Sequence, residues 1–165
     1  MDQMRESVFA CLGDISGSSF LDIFSGSGII ALEAASRQAV HVEAVESDPA
    51  KRKTLLKNVS ISPVRIHCHF MNAELYVKRA KGLRLKETGL EEPKGFDFIF
   101  LDPPFSYQYK RELLSRIAAS KLVSNESLIL LHRPGQEQIN EPVEGLKLKD
   151  SREYGRSVVD FFKNH

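Results

Sequence analysis

Apolar residues in this chain recur in two rhythms, and the switches between them mark out its elements. Val8, Phe9 and Leu12 fall at helical spacing, which predicts a short leading helix over Arg5 to Leu12. A loop from Gly13 to Ser19 runs into the apolar stretch Phe20 to Phe24, the first strand. Ile29 to Ser36 follows as a helix whose inner face is small and apolar, with Ile30, Ala31, Ala34 and Ala35. Val40 to Val45 predicts the second strand, ending at Glu46. Pro49 suits a first helical turn, and Ala50 to Val59 sets Leu55, Leu56 and Val59 against Lys51, Arg52, Lys53 and Lys57. That is a half-buried helix with a basic outer face.

Arg65 to Phe70 is expected as a third strand and Ala73 to Ala80 as the helix after it. Lys81 to Gly95 mixes glycines and a proline with many charges and reads as an extended surface loop or a partly frayed helix end, the best candidate for a mobile segment. Phe96 to Leu101 is a fourth, strongly apolar strand that must stop at Pro103-Pro104, because neither proline can donate to a ladder. A helix over Lys110 to Ser120, a buried fifth strand over Ser127 to Leu131 and a loop over Arg133 to Pro142 come next. Leu146 to Ser151 and Ser157 to Phe162 make a closing hairpin around Glu153-Tyr154-Gly155-Arg156. Strands alternating with helices at this spacing give an α/β chain of parallel units, and the terminal pair adds an antiparallel edge. The expected architecture is an open, doubly wound sheet with helices on both faces.

Composition narrows this only slightly. At 165 residues and 42% hydrophobic content the chain suits one domain, 1–165. With 23 basic and 22 acidic residues, any nucleic-acid contact must come from local patches. Cys11 and Cys68 form neither a metal knuckle nor a disulfide framework, and no apolar run is long enough to span a membrane. A cytoplasmic setting is expected.

Candidate chemistry begins at Gly26-Ser27-Gly28-Ile29-Ile30-Ala31, a GxGxxA turn between strand and helix. Its bare backbone can approach a nucleotide-type ligand, although a plain tight turn has the same form and nicotinamide dinucleotides use the same pattern. Glu46, eighteen residues beyond Gly28, stands where a carboxylate can accept both hydroxyls of a ribose, or serve as a solvated charge or a helix-capping acid. Asp48 reads as a helix cap, and Asp22 can orient the loop or simply bond locally. The more specific stretch is Asp102-Pro103-Pro104-Phe105. Asp102 and the Pro103 carbonyl can accept the two N–H groups of an aromatic amine, Phe105 can stack on the base, and Pro104 stiffens the loop; an ordinary strand-ending turn is the alternative, common for Asp-Pro and seldom seen with this full set.

His67 and His69 share a strand face, but two imidazoles without a third nearby ligand are not a metal set, and none is expected. Lys78, Arg79, Lys81, Arg84 and Lys86 can grip RNA or form a solvated face. Arg5 can meet a substrate or pair on its helix, and Tyr107 and Tyr109 can flank a flipped base or pack.

Met4-Arg5-Glu6-Ser7-Val8-Phe9, Leu21 to Gly28 with Glu33 to Arg37, Val45 to Asp48, and Phe96 to Phe105 together resemble the bacterial RsmD-type 16S ribosomal RNA guanine-N2 methyltransferases. The resemblance covers nearly the whole chain. It implies a Rossmann-like class I methyltransferase fold of seven strands in the order 3-2-1-4-5-7-6, with strand 7 antiparallel. It further implies S-adenosylmethionine as cofactor and 16S rRNA or a small-subunit assembly intermediate as substrate of a monomer. By this resemblance Phe24, Ser25, Gly26, Ser27 and Gly28 lie under the methionine moiety, with Asp22 behind them. Glu46 holds the ribose with Ser47 beside it, Asn72-Ala73 meets the adenine, and Asp102 also borders the cofactor. Asp102, Pro103, Pro104 and Phe105 present the guanine amine, and Arg5, Phe105 and Tyr107 meet the substrate. Asn72 stands where such enzymes commonly carry Asp. The family's basic β-hairpin before the Arg-Glu-Ser helix is expected to be absent, since the chain begins almost at that helix. Competing readings are an adenine-N6 or other amine methyltransferase, a nicotinamide oxidoreductase, and a noncatalytic RNA- or ribosome-binding relative.

Overall fold

A computed structural model describes residues 2–80, 95–137, 139 and 142–164. The expected elements form in the expected order: α1 (Asp2–Leu12), β1 (Ser19–Ile23), α2 (Ile29–Ser36), β2 (His41–Val45), α3 (Arg52–Val59), β3 (Ile66–His69) and α4 (Ala73–Arg79). β4 (Phe98–Leu101), α5 (Lys110–Ala118), β5 (Leu128–Pro134), β6 (Leu146–Tyr154) and β7 (Ser157–Asn164) complete the described chain. The sheet has seven strands in the order β3-β2-β1-β4-β5-β7-β6, the order of the class I methyltransferase sheet. β1 to β5 run parallel, while β7 runs antiparallel to both β5 and β6. The expected loop over 81–95, with Lys81, Arg84 and Lys86, lies outside the described residues except for Gly95.

Successive residues of the central strands feed two cores, as a sheet covered on both faces requires. Phe20, Val42, Ala44, Phe100 and Leu130 meet Met4, Val8 and Phe9 of α1 and Ile30, Ala31, Ala34 and Ala35 of α2. Leu21, Ile23, Ile99, Leu101, Ile129 and Leu131 meet Tyr76 and Val77 of α4 and Leu113, Leu114 and Ile117 of α5. Three alanines on the inner face of α2 let that helix lie close to the sheet. Asp48 caps the turn before α3 by accepting the Ala50 N–H at 3.0 Å, as its position predicts.

Two boundaries differ from expectation in ways that matter. The first strand stops at Ile23, not Phe24, because Phe24 adopts a left-handed φ of 61° and turns the chain. β5 continues through His132, Arg133 and Pro134, where a loop is expected from Arg133. β4 has ended by then, but β7 still pairs with β5 opposite Val159, Val158 and Ser157. Arg133 anchors the extension through Asp160, with Nε at 2.5 Å and a second bond of 3.1 Å, and Ser151 donates to the same carboxylate at 2.6 Å.

The histidines of β3 also find a structural setting. His69 Nε2 lies 2.7 Å from Glu43 Oε1, and His41 Nε2 lies 2.7 Å from Glu43 Oε2. Tyr76 donates to the same carboxylate at 3.0 Å, and His67 stacks on His41 at 5.2 Å. Burial alone would raise the Glu43 pKa, but the bonds from His41 and His69 outweigh it and bring the group down to about 2.

Candidate active site

The site forms at the carboxyl ends of β1, β2, β4 and β5, the edge at which parallel sheets of this kind bind ligands. Beyond β1 the chain bends at Phe24 and crosses toward β2, where the Ser25 N–H donates to the Val45 carbonyl at 2.9 Å. Gly28, at a φ of 83°, closes the turn by donating to the Ser25 carbonyl at 2.9 Å, and α2 starts at the next residue. A Cβ at Gly28 would lie 2.4 Å from Leu55 Cδ1, so close packing of α3 demands glycine here as well as the turn does. From α3, Asn58 Nδ2 donates to the Ser27 carbonyl at 2.8 Å and fixes the crest of the loop.

Asp22 lies beneath this loop, 1% exposed. It accepts from Ser25 Oγ at 2.7 Å and from the Ala31 N–H at 3.2 Å. Burial raises its pKa to about 7. The Ser25 bond opposes the rise, while the nearby carboxylates Asp102 and Glu46 add to it. Glu46 spans the other side of the loop, accepting the Gly26 N–H at 2.7 Å through Oε1 and the Asp48 N–H at 2.8 Å through Oε2. Each oxygen keeps a lone pair for a further donor.

Asp102 follows β4, and its N–H donates to the Ile23 carbonyl at 3.2 Å, so the catalytic candidate hangs from the end of β1. Asp102 Oδ1 lies 2.8 Å from His132 Nδ1. Pro103 is buried and Pro104 exposed, and the Tyr107 N–H donates to the Pro104 carbonyl at 2.8 Å to close a turn. Phe105 is 53% exposed, its ring edge-on to His132 at 5.8 Å. A cavity of about 250 Å³ is lined by Arg5, Asp22, Phe24, Ser25, Ser27 and Asp102, with Asp2, Ile29 and Ile30. Arg5 reaches it from α1, 3.8 Å from Glu33 and 3.5 Å from Asp2.

The other expected residues stand further out. Asn72 Oδ1 accepts the Leu75 N–H at 2.7 Å as the cap of α4, which uses one of its two lone pairs and fixes the orientation of the amide. Ala73 is buried behind it, and Ser47 is exposed beyond β2. Tyr107 packs edge-on to Phe24 at 5.1 Å, and its hydroxyl donates to Glu74, so it braces the glycine loop. Tyr109 is 62% exposed. Sequence reasoning passed over His132, Asn58 and Glu74. A usable signal existed for the first, because His132 is the polar residue directly after the apolar run Leu128 to Leu131, at the ligand-binding end of a strand beside β4.

Comparison with other proteins follows the same lines. Ribosomal RNA small subunit methyltransferase D of Haemophilus influenzae is 29% identical over 150 residues, covering 90% of this chain and 74% of that protein. The protein of the same name from Buchnera aphidicola of Acyrthosiphon pisum is 29% identical over 143 residues, covering 86% of this chain and 69% of its own. A solved structure of a conserved hypothetical protein from Streptococcus pyogenes shares the fold with a TM-score of 0.83 at 24% identity, over 98% of this chain and 95% of that one. Among the described residues no helix is long and apolar enough to cross a membrane. With residues 1–163 matching its model, this chain belongs to the family described as conserved hypothetical protein 95.

Proposed function

We propose that the chain is an S-adenosylmethionine-dependent methyltransferase acting on the exocyclic N2 amine of a guanine in 16S ribosomal RNA. The observation that carries this reading is a cavity lined both by the glycine-loop residues Phe24, Ser25 and Ser27 and by Asp102 of the Asp-Pro-Pro-Phe loop. A cofactor cradle and an amine-accepting carboxylate meet there.

The residues present fit the cofactor by their chemistry. Glu46 offers spare lone pairs for a ribose diol at the tip of β2, and the Asp102 carboxylate suits a cationic sulfonium. When bound, S-adenosylmethionine supplies an electrophilic methyl group. Asp102 Oδ2 and the Pro103 carbonyl would accept the two amine N–H bonds and favour pyramidal nitrogen as its lone pair turns toward that methyl. After transfer the nitrogen sheds one proton, to the Asp102 carboxylate or to water. Phe105 stands exposed beside them as a stacking platform for the base. Because the attacking nitrogen is neutral, holding it in line does most of the work. The reading takes residues 1–165 as one domain, acting as a monomer in the cytoplasm on free rRNA or an assembling small subunit.

Transfer of radiolabelled methyl to deproteinised 16S rRNA and to immature small subunits, followed by nucleoside analysis, tests the proposal. N2-methylguanosine that disappears in Asp102→Ala is the expected product. N6-methyladenosine would move the reading to the adenine-directed relatives. Cofactor binding without transfer to any RNA would leave a noncatalytic RNA- or ribosome-binding protein.

A further inference from the structure

We propose that His132 is the positioning residue of the catalytic loop, holding the Asp102 carboxylate and the Phe105 ring in the geometry that receives the amine. This inference rests on the methyltransferase reading above. It starts from a conformational problem. The backbone of Asp102 is tied to Ile23, but its side chain leaves the loop with two free torsions, and a carboxylate free to rotate presents its acceptors to the amine only part of the time.

His132 removes that freedom. Its Nδ1 lies 2.8 Å from Asp102 Oδ1, and the ring is 5% exposed on β5, one residue past the last pair with β4, where β7 still pairs with the strand. A carboxylate can only accept, so Nδ1 carries the proton. Nε2 is buried with no partner among the described residues. With no acceptor beside Nε2, the Nδ1–H tautomer is the one this setting accommodates. Asp102 thus gains a fixed donor at Oδ1, and Oδ2 is left to the amine. The edge of Phe105 rests on the same imidazole at 5.8 Å, so one buried ring sets both the acceptor and the stacking platform.

His132 lies thirty residues beyond Asp102 in the chain. Parallel pairing of β4 with β5 brings them together, with Leu101 opposite Leu131.

Two measurements test the assignment. In protein labelled with ¹⁵N-histidine, long-range proton–nitrogen correlation should show His132 with Nδ1 protonated and Nε2 bare, the signals being assigned by their loss in His132→Asn and shifted in Asp102→Asn. In methyl transfer, His132→Leu should lower kcat roughly tenfold or more, the scale of a lost hydrogen bond to a charged group. Its KM for RNA and its Kd for S-adenosylhomocysteine should stay within about twofold of wild type. His132→Asn, whose amide nitrogen falls near the place of Nδ1, should recover most of kcat. An Nε2–H tautomer, wild-type kcat in His132→Leu, or a folded His132→Asn as slow as His132→Leu would each overturn the inference. A wild-type protein that methylates no RNA would overturn the enzymatic reading and the catalytic role with it. The ring-nitrogen signals would separately decide whether the His132–Asp102 bond exists.

Discussion

Glu46 Oε1 accepts the backbone N–H of Gly26 at 2.7 Å, so the carboxylate at the tip of β2 also fastens the glycine loop. Removing it therefore does two things. Glu46→Gln keeps an acceptor for Gly26 and loses the charge, and Glu46→Ala loses both. We expect Kd for S-adenosylhomocysteine by calorimetry to weaken about tenfold in the first and further in the second, on the usual scale of hydrogen bonds to a charged group. Equal affinity in all three proteins would remove Glu46 from the cofactor site.

Gly28 is constrained by conformation and by space at once. With φ at 83° and a Cβ position 2.4 Å from Leu55 Cδ1, Gly28→Ala strains the turn and displaces a fully buried leucine. A loss of about 1–3 kcal/mol in denaturant unfolding is expected, with cofactor affinity falling alongside. Leu55→Ala in the same background should return part of the cofactor affinity by opening the space.

Asp22 makes the fold less stable as pH rises. Its folded pKa of about 7 lies above the ordinary 3.8, so between those values the native state holds a proton that the unfolded chain has released. The group's contribution is favourable at low pH and is lost as pH climbs toward 7. Asp22→Asn keeps an acceptor for Ser25 and Ala31 and carries no charge. It should raise Tm at pH 8, by no more than about 4 kcal/mol in stability, with the gain vanishing near pH 4. A Tm difference independent of pH would show that Asp22 does not titrate in this range.

Glu43 has the opposite sign. Its folded pKa of about 2 lies below the ordinary 4.5, so it stabilises the protein above 4.5, and that contribution drains away as pH falls toward 2. Glu43→Gln should cost on the order of 3 kcal/mol in stability at pH 7 and progressively less in acid, read by urea unfolding across pH 3 to 7. Because Glu43 lies in the α4-side core, away from the Asp22–Asp102 cavity, cofactor affinity should change little at neutral pH.

Most of the architecture was legible along the chain because local rhythm and turn chemistry agree with the tertiary arrangement. The apolar runs at β1, β4 and β5 are buried on both faces, and small residues mark the side of α2 that approaches the sheet. Where expectation failed, neighbours decided. β5 outlasts its apolar run because β7 pairs with His132 to Pro134 and Asp160 holds Arg133, and neither strand partner can be read from the segment itself.

The candidate site divides in the same way. Residue order alone placed the glycine turn after a strand, an acid at the next strand's end and an Asp-Pro-Pro-Phe stop after a third, because each is a short-range pattern with a local physical cause. Only the fold could bring Arg5 of α1 to the cavity that holds Asp22 and Asp102, commit the Asn72 carbonyl to capping α4, and set His132 against Asp102. Those relationships depend on which strands neighbour each other and on which buried polar atoms must find partners. Both are settled by the packing of distant segments rather than by the order of residues within any one of them.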